Sequence, residues 1–444
     1  MIASPEFRRN LWLEFSPYRL AAMPVILGAI FLITTLGGRR ALDEITGSVS
    51  AFLFVVLVIL WGTRLAGETV TGEVLGRTWD QQRLSAIGAW PLAWGKLFGA
   101  PAYAWYGGAI CMVIYTVSQA NYWPPGTILS AIGLYIATGL LAHATALVLS
   151  LQAVQRRRAF GRVQGLWYQV AAVVPAGVIL YSGVGGLEGN GNYAMTTWFG
   201  ITLAKTHFML ATAVVFVGWA LLGVHALMRL ELMFRHGPWR WLGFVIFAMA
   251  FFGGMDFSGW SIPTILTALP RGPSVAFIIA AVAAYAVAFG EPKHRVRFRR
   301  LAHYTRAGQW RRVFELAPRS ALTLLLAAGA ALIAAVNVDT GVDSGQIRLP
   351  IVAVFLFLVR DIGFIFVLNL KKDTGAGSAD ARAFLFLVLA YALGPALAET
   401  LGASPLSAIF WPQWEAGALT TIAPPLIEVC IIAYLLAGRL RKVS

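Results

Sequence analysis

The chain has 444 residues, of which 58% are hydrophobic and 12% charged, and its mean hydropathy is +0.71. No soluble domain of this size reads that way, so the composition points to a polytopic membrane protein. The net charge of +15 invites a nucleic-acid reading, but the placement of the basic residues, set out below, excludes it.

Ser4-Pro5-Glu6 predicts a helix start, with a capping residue, a proline in the first turn and an acid near the positive helix end. Phe7, Leu11, Trp12 and Phe15 then recur at helical spacing opposite Arg8, Arg9, Asn10 and Glu14. An amphipathic helix over 4–17 is expected, ending near Pro17 and lying on the inner membrane surface.

A helical crossing takes roughly 20 mostly apolar residues. Twelve segments qualify, at about 20–36, 49–65, 97–117, 127–151, 166–184, 207–228, 241–257, 275–289, 321–336, 351–370, 383–400 and 417–437. Helices are expected because each crossing must satisfy its own backbone groups, and no alternating pattern points to a barrel. The fold class is therefore all-α and polytopic, with about twelve transmembrane helices and both termini cytoplasmic. With the termini inside, the outer segments hold only Arg39, Arg40, Lys205, Arg271 and Arg348. Arg360 falls within a span, and the other 29 of the 35 Lys and Arg lie in inner segments. That alternation is the positive-inside pattern, which makes cytoplasmic lipid the nearest partner of the basic excess and leaves no nucleic acid to invoke. Cys111 and Cys430 fall inside spans, so neither a disulfide framework nor a zinc site is expected. No cleavable leader is expected either, since the first apolar run follows a charged segment and is long enough to span.

Between the second and third spans lies a polar segment, 66–96, that is far longer than a connection needs. The Gly-rich stretch 182–192 (SGVGGLEGNGN) has no strand before it and no helix N-cap after it, so it reads as a connector and not as a nucleotide loop. The basic segment RLELMFRHGPWR (229–240) restarts the pattern, and six more spans follow. Their long inner loop, 291–319, places Trp310, Val313, Phe314 and Ala317 at i, i+3, i+4 and i+7 before Pro318 ends the run. The two halves, 1–228 and 229–444, share span count and orientation, the pattern of a parallel repeat.

Within 66–96, Glu73 and Thr78 are followed by Leu84-Ser85 and then by Gly95-Lys96-Leu97. This resembles the membrane subunits of type-2 ABC exporters, whose loop at this place has the form E-x-x-x-G-T, then L-S, then G-K-L. Arg77 stands here where that pattern has glycine. The first half, 1–228, also resembles the family layout of an interfacial helix, two spans, a coupling loop, three spans, an outer connection and a sixth span. The resemblance implies that 66–96 presents a coupling helix to a separate ATPase subunit, two copies of which would serve one fused chain supplying both permease halves. It implies coupling roles for Glu68, Glu73, Thr78, Trp79 and Arg83, with Trp310 and Phe314 as the second contact. ATP and magnesium would belong to the partner, with no cofactor in this chain: the one Gly-Lys pair, Gly95-Lys96, lacks the spacing of a phosphate-cradling loop.

Arg360 and Asp361 lie near the middle of one span and Glu428 lies similarly deep in the last, and charge within a membrane needs a partner or water. Arg360 is expected to pair with Glu428, since adjacent side chains such as Asp361 diverge by about 100° on a helix. His143 reads as a packing residue and His207 as a boundary residue, and neither has a second metal ligand nearby. Trp123, Trp198, Trp260, Trp411 and Trp414 read as interfacial anchors. The expected function is that of the permease subunit of an ATP-driven exporter in the cell's inner membrane, with a hydrophobic or amphiphilic substrate and no catalytic residues. Two other readings stand beside it: a twelve-span secondary transporter, and a membrane-embedded enzyme modifying lipid or glycan.

Overall fold

The computed structural model of the chain describes residues 4–37, 44–85, 87–155, 162–187, 193–234, 237–255, 272–291, 293, 295–337, 344–370, 376–402, 404–412 and 417–441. The described residues are overwhelmingly helical and divide into two compact units. One is Met1–Thr197 with Ile201–His236, and the other is Trp198–Gly200 with Gly237–Ser444.

In the first unit, α1 (Pro5–Glu14) is followed by α2 (Pro17–Gly37). Pro17 thus opens α2, where its fixed φ and missing N–H are harmless, and does not end α1. α3 (Glu44–Leu75) runs for 32 residues and contains a π-helical stretch, Val55–Gly62. Then come α4 (Trp79–Leu84), α5 (Ala89–Gly99), α6 (Ala102–Gln119), α7 (Pro125–Gln155) and α8 (Arg162–Val184). A two-stranded hairpin of β1 (Met195–Trp198) and β2 (Ile201–Ala204) precedes α9 (Lys205–Glu231). Most of the Gly-rich stretch, 188–192, lies outside the described residues.

The second unit holds α10 (Trp239–Gly253), α11 (Pro273–Gly290), α12 (Arg295–Arg306), α13 (Trp310–Leu316), α14 (Arg319–Val336), α15 (Ser344–Asn369), α16 (Ala376–Thr400) and α17 (Ala418–Arg441). Its core sets Phe277, Ala280, Ala284 and Ala288 of α11 beside Ala327, Ala330, Ala331 and Ala334 of α14. Stripes of alanine let two helix backbones approach closely, the usual means of packing where lipid removes the hydrophobic drive.

Ten helices among the described residues are long and apolar enough to cross a membrane, or eleven when the bent pair α5 and α6, 53° apart, counts as one. This is an all-α, multi-pass membrane protein by the length and composition of its helices. Each of the twelve expected spans has a helix, but the seventh, α10, has only 15 residues and ends at Gly253, and the last two residues of that expected span, 256–257, lie outside the described residues. The second span is longer than expected. Its helix continues to Leu75, so the first ten residues of the 66–96 segment are an extension of the span and not a loop.

Candidate coupling surface

At about 1.5 Å per residue, the 32 residues of α3 measure about 48 Å, well over the roughly 30 Å of hydrocarbon. Residues 66–75 lie past the expected end of the span, and their far end is closed in a compact way. The N–H of Gly76 donates to Gly72 O (2.8 Å) and that of Thr78 to Glu73 O (2.9 Å), while Arg77 adopts a left-handed φ of 58°. These bonds satisfy carbonyls that a helix end otherwise leaves open. Thr78 itself serves here: its hydroxyl also lies 3.4 Å from Glu73 O.

Two polar clusters then lock the segment in place. In the first, Lys96 of α5 is completely buried, and its ammonium contacts Glu73 Oε2 of α3 and, at 3.5 Å, Glu6 Oε1 of α1. Arg9 bridges the same two acids, at 2.7 Å from Glu73 and 3.0 Å from Glu6. Gln82 of α4 donates to Glu73 at 2.6 Å. Two cations thus balance two carboxylates, and burial without a partner, which is costly, is avoided.

Close backbone approach makes this cluster possible. A Cβ on Gly95 would lie 2.6 Å from Glu6 Cγ, and one on Gly99 would lie 2.7 Å from Asn10 Cβ. Glycines one turn apart therefore let α1 lie directly on α5. Asn10 donates to Gly95 O at 3.1 Å and Ser4 to Pro91 O at 3.0 Å. The buried face of α1 is consequently Glu6 and Asn10, whereas Trp12 and Leu13 are exposed.

In the second cluster Trp79 of α4 is buried, and its Nε1 donates to Glu231 Oε2 at 3.2 Å, at the end of α9. Arg83 Nε donates to Glu231 O at 3.0 Å. Below them Val70, Trp79, Leu92, Leu97, Leu147, Leu151, Val224 and Met228 form one apolar core, joining α3, α4 and α5 to α7 and α9.

The expected coupling residues therefore fall into distinct settings. Glu73 and Trp79 are held inside the unit, and Arg83 spends its Nε on α9. Glu68 is outward, paired with Arg64 at 2.9 Å. The surface of the short helix is instead made by Asp80 (84% exposed) and Leu84 (88% exposed), with Met233 (80% exposed) beside Arg83. Leu84 belongs to the Leu84-Ser85 pair of the sequence motif, whereas nothing in the sequence singled out Met233, which lies in the apolar run Leu232-Met233-Phe234.

In the second unit Phe314 is half-buried, its ring 4.5 Å from that of Trp239, and Trp310 is 68% exposed. The intramembrane charges form a polar knot. Arg360 donates from Nη1 to Glu428 Oε2 at 2.6 Å and to Ile409 O at 3.1 Å, and from Nη2 to Tyr391 Oη at 2.9 Å. Asp361, expected to face away, also takes part. Its Oδ1 accepts from Arg360 Nε at 2.7 Å and its Oδ2 from Tyr391 and Tyr285, at 2.7 and 2.5 Å. The long guanidinium folds back along its own helix, which the divergence of adjacent Cβ atoms does not prevent.

His143 places Nε2 2.8 Å from Val58 O, a carbonyl of the π-helical stretch, and His207 lies 3.1 Å from Ser130 Oγ. Trp260 and Trp414 lie outside the described residues. No known family model, curated protein or solved structure matches the chain.

Proposed function

We propose that the chain is the permease subunit of an ATP-driven exporter of the type-2 ABC kind. It sits in the cell's inner membrane with both termini cytoplasmic, and separate ATPase subunits power it. The observation that carries this reading is the construction of 66–99. A helix of 32 residues continues past the expected span, turns into a six-residue helix with exposed Asp80 and Leu84, and is clamped by buried ion pairs to the N-terminal helix and by Trp79 and Arg83 to α9. On this reading a displacement applied at α4 passes into α3 through Gln82 and Glu73 and into α9 through Trp79 and Arg83.

On this reading ATP and magnesium bind the partner, and closure of two ATPase subunits pushes on α4. The push tilts α3 and α9 and opens a path for a hydrophobic or amphiphilic substrate. Glu73, Trp79, Thr78 and Arg83 shape and hold the contact, while Asp80, Leu84 and Glu68 meet the partner; Trp310 and Phe314 remain the proposed second contact. The chain purified alone in lipid nanodiscs is expected to show no ATP hydrolysis above background. Hydrolysis by the isolated chain, sensitive to removal of magnesium, would overturn the proposal.

A further inference from the structure

The inner loop of the second unit is a helical hairpin whose orientation is fixed from within. Arg297 of α12 donates to Leu316 O and Ala317 O, both at 2.8 Å, and contacts Glu291 at the end of α11. Glu291 in turn accepts the Arg319 N–H at 3.1 Å, capping α14. Phe298 packs on Phe366, with ring centroids 5.9 Å apart. These contacts set the roll of α12. At about 100° per residue they turn Val296, Arg299, Arg300, His303 and Arg306 to the opposite face, where all five are exposed. Arg300 and Arg306 have no partner among the described residues. In α13, Arg311 and Arg312 are exposed as well; Arg311 pairs with Glu315 at 3.4 Å and Arg312 lies over the Tyr304 ring at 5.2 Å.

We infer that this face of α12 is a docking surface for anionic lipid headgroups. The hairpin is anchored at both ends to helices read as spans, α11 and α14, and α12 is only about 18 Å long, so the arginines stay near the membrane surface. The exposed Val296 among the arginines supplies the apolar component that interfacial segments carry. Charge complementarity selects the occupant: a stripe of arginine with little opposing acid fits a surface of phosphate-bearing lipid. This inference needs the chain to be in a membrane but does not depend on its being an exporter.

The full chain is tested in the Cys430→Ser background, because Cys111 is buried and Cys430 exposed. His303→Cys is labelled with an environment-sensitive fluorophore, and the protein is reconstituted into phosphatidylcholine vesicles with or without phosphatidylglycerol. A nitroxide on the lipid headgroup should quench the label strongly only when phosphatidylglycerol is present, and added salt should weaken the quenching. Each basic residue near an anionic surface contributes about fivefold to association, so Arg300→Ala with Arg306→Ala should lower it by at least about tenfold. Arg439→Ala with Arg441→Ala, which removes the same charge elsewhere, should leave the signal unchanged. Equal quenching in both vesicle types overturns the inference, as does an effect of the control pair equal to that of the α12 pair. A label fully accessible to iodide from water in both vesicles also overturns it, and would assign the face to a protein partner.

Discussion

Lys96 shows how a single enclosed charge organises its surroundings. Its two acid partners come from different helices, so the ion pairs tie α1, α3 and α5 together and are not ornaments on one of them. Removing one side of such a group strands a buried charge, at a cost of about 3–5 kcal/mol, whereas an exposed pair contributes about 0–1 kcal/mol. Glu73→Ala should therefore lower the thermal midpoint in detergent markedly and Glu68→Ala hardly at all. Equal effects would mean that the Lys96 cluster is replaceable by water. The knot at Arg360 obeys the same rule with a further partner. Glu428→Gln alone should destabilise, and combining it with Arg360→Met should cost less than the sum of the two single changes, by 1 kcal/mol or more in a double-mutant cycle. Strict additivity would show that Asp361, Tyr391 and the Ile409 carbonyl already satisfy the guanidinium.

At the scale of the element, the turn after α3 places Arg77 at a φ of 58°, the conformation that glycine adopts without strain. Arg77→Gly is expected to raise the thermal midpoint modestly, by the equivalent of up to about 1 kcal/mol, and a lowered midpoint would show that the arginine side chain contributes more than its backbone strain removes. Gly95, Lys96 and Leu97 were legible as a motif but not as a mechanism. Gly95 admits α1, Lys96 binds its acids, and Leu97 enters the apolar core, all through residues more than 20 positions away or on other helices. Periodicity located the helices well because apolar length is a local property. It failed at 66–75, where polar residues continue the helix of the span, and it did not show that Glu6 and Asn10 of α1 are buried. Glu6 and Asn10 are inside because glycines on α5 leave room for them, and no pattern within α1 records that.

At the scale of the molecule, the chain carries two compact helical units, and in the first a path of hydrogen bonds joins the short helix α4 to α3 and α9. Leu84 projects from the end of that path, free of the internal bonds that occupy Glu73, Trp79 and Arg83. The decisive measurement places a photo-cross-linking amino acid at Leu84 of the full chain in living cells and identifies the adduct by mass spectrometry. The expected adduct is a protein that contains a phosphate-binding loop and hydrolyses ATP, with the same probe at Trp79 giving no such adduct. Capture of lipid alone at Leu84, or of proteins without nucleotide-hydrolysing chemistry, would contradict it.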